Sequence, residues 1–201
     1  MLLHALIPAS RANGPGLRAV VFFQGCNLGC QGCFNSQTHS FGGTELTIGA
    51  VVQQVLEARA DQSVEGVTFS GGEPMQQADS WLELMQHLRL EAPELGFGMF
   101  SGYTERELDE GRYWTWQREF EAQDKQRLWG EIRAFLDFAV LGRFNHLEPD
   151  SAPLRSSRNQ VLRLFSSRYT KADFEEQLAE VTIHEEGRAE ITGFPVLGLP
   201  W

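Results

Sequence analysis

Cys26, Cys30 and Cys33 are the only cysteines in the chain, and they fall within eight consecutive residues. A disulfide framework wants an even number of cysteines spread along the sequence. A structural zinc site usually wants four Cys or His ligands, often as two separated pairs. His39 is the nearby residue that could complete such a set, and that alternative stays open. Buried thiols without chemistry are seldom clustered so closely. The spacing Cys-x3-Cys-x2-Cys, on a loop carrying Gly25, Gly29 and Gly32, points to an iron–sulfur cluster. Thiolates are the usual cluster ligands, and three of them on a four-iron cube leave one iron open. An electron carrier closes its cluster with a fourth thiolate, whereas an open iron can take a substrate or cofactor.

A second constellation follows one strand and one helix later. Ser63 to Ser70 is rich in β-formers and runs directly into Gly71-Gly72-Glu73-Pro74. Glycines there let the backbone approach a ligand without interference from a Cβ, and proline fixes the exit of the turn. Taken alone, the four residues also fit a plain strand-to-helix turn.

Together the two segments resemble the radical S-adenosylmethionine (SAM) enzymes. Gly25 to Asn35 is similar to their cluster loop, and Gly71-Gly72-Glu73 to their SAM-binding turn. The resemblance implies one [4Fe–4S] cluster held by Cys26, Cys30 and Cys33. Its free iron chelates the methionine part of SAM, and Gly71, Gly72, Glu73 and Pro74 position the methionine amino group. Many members carry an aromatic residue just before the third cysteine; here Gly32 stands there and Phe34 follows. Asn13-Gly14-Pro15-Gly16-Leu17-Arg18 resembles the lead-in of glycyl-radical activating enzymes, although a turn before a buried strand reads the same way. Gly32 to Asn35, Ser101-Gly102-Tyr103-Thr104, Asp137 to Phe144 and Ile191 to Pro195 resemble the branch that activates anaerobic (class III) ribonucleotide reductase. Ser101 and Asn35 join the implied cofactor-binding residues on that ground, and no catalytic side chain is implied beyond the cluster. Leu154 to Gln160 departs from the branch, because a glycine is missing and Arg158 interrupts before Asn159; only Asn159-Gln160 still fits.

The implied chemistry is reductive cleavage of SAM to methionine and a 5′-deoxyadenosyl radical, with a flavodoxin-like protein as electron donor. All three cysteines are used by one cluster, and little chain is left for a substrate domain. This economy fits an activating enzyme that takes a hydrogen atom from a backbone glycine on a partner, most directly an anaerobic ribonucleotide reductase. A radical SAM enzyme acting on a small molecule or short peptide is the alternative. A non-catalytic iron–sulfur or zinc module is a further one.

The elements that must position these residues are legible in the periodicity. Strand-like runs lie near 18–24, 65–70, 95–100 and 137–141, and helical spacing covers 46–60 and 75–90. Alternation of this kind implies a parallel sheet with right-handed crossovers. A helix is expected near 171–180 with Thr170 as its cap, then a hairpin of 181–185 and 188–192 turning at Glu186-Gly187. The resemblance implies a partial (β/α) barrel, and 201 residues are too few for the roughly 250 of a closed eight-fold barrel. One domain over 1–201 is expected, open on one side, with a small C-terminal hairpin. Residues 105–131, carrying Trp114, Trp116 and Trp129, read as a helical insertion. Its tryptophans either pack on the barrel's flank or form a docking surface for a protein.

The net charge of −10, from 17 basic and 27 acidic residues, argues against a nucleic-acid backbone as partner. No apolar run approaches the roughly 18 residues of a membrane span. The opening Met-Leu-Leu-His-Ala-Leu-Ile lacks a basic start and meets Pro8, so a secretory signal is not expected and a cytoplasmic location is.

Overall fold

Apolar side chains on alternate positions of the central strands need cover on both faces, and that requirement organises the chain. The computed structural model describes residues 1–175, 179–183 and 189–194. Its main sheet has six strands in sequence order: β1 (Leu3–Ser10), β2 (Arg18–Phe23), β3 (Gly66–Gly71), β4 (Gly96–Ser101), β5 (Phe138–Leu141) and β6 (Val161–Leu164). The four central strands are parallel, while β1 and β6 run antiparallel along the two edges. A separate hairpin pairs β7 (Ala179–Ile183) with β8 (Ala189–Gly193).

Parallel neighbours need crossovers, supplied by α1 (Ile48–Gln62) between β2 and β3 and α2 (Ala78–Glu91) between β3 and β4. Between β4 and β5 the crossover is α3 (Glu105–Asp109) followed by α4 (Ala122–Phe135). Residues 105–131 therefore hold α3 and most of α4, the helices of this βαβ crossover, and 110–121 is the loop between them. Thr47 caps α1 by accepting the Ala50 N–H, and Thr104 with Glu107 forms a capping box on α3.

One face of the sheet packs on the helices. Ala19, Val21 and Phe23 of β2 join Val67, Phe69, Phe97 and Met99 and the α1 and α2 side chains in one core. Trp81 of α2 is its centre, with ring centroids 5.3 Å from Phe69 and 6.1 Å from Phe23.

The other face is partly plugged and partly open. At its lower end Arg18 is fully buried, and all five of its N–H groups are used. They reach Thr68 Oγ1, the carbonyls of Pro15, Val67 and Gly96, and the Tyr169 hydroxyl. Phe138, Tyr169 and Phe174 close around it, with the guanidinium 5.2 Å from the Phe138 ring centroid. Above this plug the face is open toward the carboxyl ends of the strands. The hairpin leans there with its polar side inward: Glu180 accepts from the Ser10 hydroxyl and the Arg11 N–H, and Thr192 accepts from Asn13. Val181, Ile183 and Ile191 are left exposed.

Two expectations are corrected. The helix near 171–180 is a single 3-10 turn over Lys171–Phe174, because the chain is extended again by Ala179. Thr170 does fold back on it, through its N–H and hydroxyl to Asp173. The helix expected from residue 75 begins as a 3-10 turn over Pro74–Gln77. β1 and β6 had no counterpart in the periodicity. The hairpin turn at Glu186-Gly187 and Pro195 lie outside the described residues.

Candidate metal centre and cofactor cavity

The loop after β2 carries the thiols, and the turn after β3 lies against it. Gly71 has φ +95°, a conformation that favours glycine. The Gly72 N–H donates to Phe23 O at 2.8 Å and the Glu73 N–H to Gly25 O at 3.0 Å, so turn and loop are laced through their backbones. A Cβ on Gly72 would stand 2.3 Å from Gly25 O. Asn35 adds a side-chain tie, its Nδ2 donating to Gly71 O at 3.4 Å.

Glu73 is the electrostatic centre, 1% exposed. Its Oε1 accepts from the Met75 N–H at 3.0 Å and the Ser101 hydroxyl at 2.8 Å, and its Oε2 from the Gly102 N–H at 2.7 Å. Burial raises its pKa from 4.5 to about 7, with these donors and Arg143 opposing the rise. A carboxylate so placed gains most from an arriving cation.

These elements enclose a cavity of about 370 Å³. Cys26, Cys30 and Cys33 line it, as do Asn35, Gly71, Gly72, Glu73 and Ser101. Pro74 does not; it starts the 3-10 turn behind Glu73. Phe22 and Phe100 form the back wall, Gln160 and Ser156 one flank, and Ile191 to Phe194 of the hairpin the other. His39 is absent from the lining; its carbonyl accepts the Cys26 N–H at 3.1 Å and its N–H donates to Ser36 O at 3.2 Å.

The remaining motifs take definite places. Tyr103 stacks edge-on with Tyr113, and Thr104 starts α3. Arg143 points away from the cavity to Glu107, 2.9 Å from both carboxylate oxygens. Burial pushes Glu107 up, but Arg143 and the Thr104 N–H and hydroxyl outweigh it and hold the carboxyl at about 2. Gln160 folds the departing segment back, its Oε1 accepting from the Ser156 and Ser157 N–H groups and its Nε2 donating to Gly142 O. Arg158 sits outside this fold, exposed, with its N–H on Glu148 O. In residues 105–131 and the adjoining loop, Trp129 is buried and donates to Asp109 at 2.8 Å. Trp114, 39% exposed, and Trp116 pack on Phe41 at 5.1 and 5.7 Å.

Residues 12–163 match the family described as a 4Fe-4S single cluster domain. The chain belongs to that family. Similar proteins include the anaerobic ribonucleoside-triphosphate reductase-activating proteins of Vibrio cholerae and Haemophilus influenzae. The first is 29% identical over 171 residues, 83% of this chain and 99% of the relative. The second is 28% identical over 163 residues, 79% of this chain and 94% of the relative. A pyruvate formate-lyase-activating enzyme of Clostridium pasteurianum is 34% identical over 108 residues, 49% of this chain and 45% of that protein.

The donor set fits the family's cluster. All three thiols are free, half-buried and turned to one cavity. The backbone amides of Leu28 and Asn35 act to lower the Cys26 and Cys33 thiol pKa values, the direction that favours thiolate ligands. Burial, then Glu73, pushes the Cys26 thiol up to about 12, and burial also raises Cys33. The metal-free loop therefore keeps these protons, and cluster assembly expels them. Sequence reading missed Gln76, fully buried between the loop and Tyr103, since a glutamine in a turn carries no spacing signal.

Proposed function

We propose that the chain is a radical SAM activating enzyme that generates a glycyl radical on a partner protein, most directly an anaerobic ribonucleotide reductase. Support comes first from relatives with that name matched over nearly their whole length. The observation that carries the reading is the cavity itself, which joins the three-thiol loop to a buried carboxylate suited to an ammonium group. Bound together, cluster and SAM supply one-electron cleavage of the sulfonium and a 5′-deoxyadenosyl radical. Cys26, Cys30 and Cys33 hold the cluster in this reading. Glu73, oriented by Ser101 and the Gly102 N–H, binds the amino group of SAM. Gly71 and Gly72 let the ligand approach the backbone, Pro74 and Asn35 hold the turn, and Phe22 and Phe100 keep water from the back wall.

The mouth of the cavity favours a polypeptide over a small charged metabolite. Residues 24–44 contain no Asp, Glu, Lys or Arg in a chain of net charge −10. Phe34 and Phe144 form one side of the rim, their rings 5.2 Å apart, and half-exposed Ile191 of the hairpin stands on the other. We further read the chain as one domain, its sheet as an open part of a (β/α) barrel, its electron donor as flavodoxin-like and its location as cytoplasmic, where free thiols stay reduced. Among the described residues no helix is long and apolar enough to cross a membrane.

The test is electron paramagnetic resonance (EPR) on anaerobically reconstituted protein with SAM, reductant and the host's class III reductase. A glycyl-radical doublet that needs every component is expected. If 5′-deoxyadenosine accumulates without the doublet, the radical chemistry stands and the substrate is another one.

A further inference from the structure

Gln76 lies in the 3-10 turn behind Glu73, with no exposed surface, and its carboxamide is fully engaged. Oε1 accepts the Asn27 N–H at 3.2 Å. Nε2 donates to Asn27 Oδ1 and, at 3.1 Å, to the Tyr103 hydroxyl. The Asn27 N–H can only donate, so the amide's orientation is fixed by its partner. Behind it, the Tyr103 hydroxyl also accepts the Trp114 N–H at 3.0 Å, and Gln76 O accepts the Trp116 N–H at 2.7 Å. The clamp is therefore anchored on the far side from the cavity.

Asn27 directly follows Cys26, so its amide is among the donors nearest a ligating sulfur. The amides of Leu28 and Asn35 act on the Cys26 and Cys33 thiols in the direction that favours thiolate. The Asn27 amide is turned to Gln76 instead. Hydrogen bonds to the sulfurs of an iron–sulfur cluster help set its reduction potential. They stabilise the more negative, reduced state and make it a weaker reductant. Outer groups that fix a ligand loop tune a metal centre in this way without touching the metal.

We propose that Gln76 is a positioning residue for the cluster loop, holding the Asn27 amide hydrogen away from the sulfurs and thereby keeping the cluster a stronger reductant. Because Gln76 is neutral, replacing it with another neutral residue leaves the charges around the loop, Glu73 among them, as they are.

The test is a redox titration read by EPR on the anaerobically reconstituted full chain, without SAM or partner. Gln76→Met keeps length and neutrality but releases Asn27. Its midpoint should move to less negative values, so that at the potential half-reducing the wild type its cluster is about tenfold more reduced than oxidised. That ratio corresponds to about 59 mV for one electron. Gln76→Asn, one methylene too short to reach, carries the same expectation and serves if the methionine variant does not load. Gln76→Glu still presents an oxygen to the Asn27 N–H, and its midpoint should not rise. Tyr103→Phe leaves the Asn27 clamp in place and should leave the midpoint unchanged. An unmoved or lowered midpoint in the methionine or asparagine variant overturns the proposal, even if its melting temperature falls. A raised midpoint in the glutamate variant overturns it by itself.

Discussion

Replacing Glu73 with glutamine separates what the carboxyl costs the fold from what it offers a ligand. The glutamine can keep its carbonyl where the Met75 N–H and Ser101 hydroxyl converge, but its NH2 then faces the Gly102 N–H, donor against donor. That mismatch costs roughly 1–3 kcal/mol at every pH. The opposing term varies with pH. The folded-state pKa of Glu73 is raised from 4.5 to about 7 by burial. Its contribution to stability is therefore fully present below the unfolded value and lost as pH rises through the folded one. At 1.36 kcal/mol per pKa unit, moving from about pH 5 to about pH 8 removes about 2.5 kcal/mol from the wild type. The glutamine variant, which cannot ionise, keeps it. Urea unfolding of both metal-free, reduced proteins at the two pH values measures the effect, and subtracting one protein from the other cancels every other titration. The stability gap should shift by about 2.5 kcal/mol in favour of glutamine on going to the higher pH. A gap constant to within about 0.5 kcal/mol would refute the burial argument. With the cluster loaded, the same variant should bind SAM at least about tenfold more weakly, because the cation loses its buried carboxylate.

Cys30→Ala should abolish both the cluster's visible absorption and SAM cleavage; cleavage at the wild-type rate would sink the metal-centre assignment. Gly72→Ala should cost cluster loading although no ligand is altered, because its Cβ would meet Gly25 O at 2.3 Å; iron and sulfide analysis at wild-type levels would contradict that. Arg18→Leu strands the buried carbonyls of Pro15, Val67 and Gly96, so a loss of at least about 3 kcal/mol is expected in urea unfolding. Less than about 1 kcal/mol would mean water or a neighbour takes over the acceptors.

The central strands and the first two crossover helices were legible because their apolar periodicity is dictated by packing on both faces. β1 was not, since Pro8 interrupts it and reads as a break. In the structure Pro8 lies in an edge strand, within the register shift between Ile7 and Ser10, where a missing N–H costs little. β6 is four residues with alternately exposed positions, too short and too polar to announce itself. In the site, the thiols and the Gly-Gly-Glu turn were visible because their chemistry restricts residue type. Gln76 and the cavity's aromatic walls were not, because glutamine and phenylalanine are unremarkable until a fold brings distant segments together. The contact between Asn13 and Thr192 shows how far the cavity depends on such meetings.

That contact spans 179 residues, nearly the whole chain. At roughly 5–20 residues per second, a ribosome needs about 10–35 s to travel from one side of it to the other. The thiol loop is thus made well before the strand that walls its cavity. During synthesis the cysteines face solvent with their turn partner but without their cover. Docking of the hairpin through Asn13 and Thr192 ends that exposure.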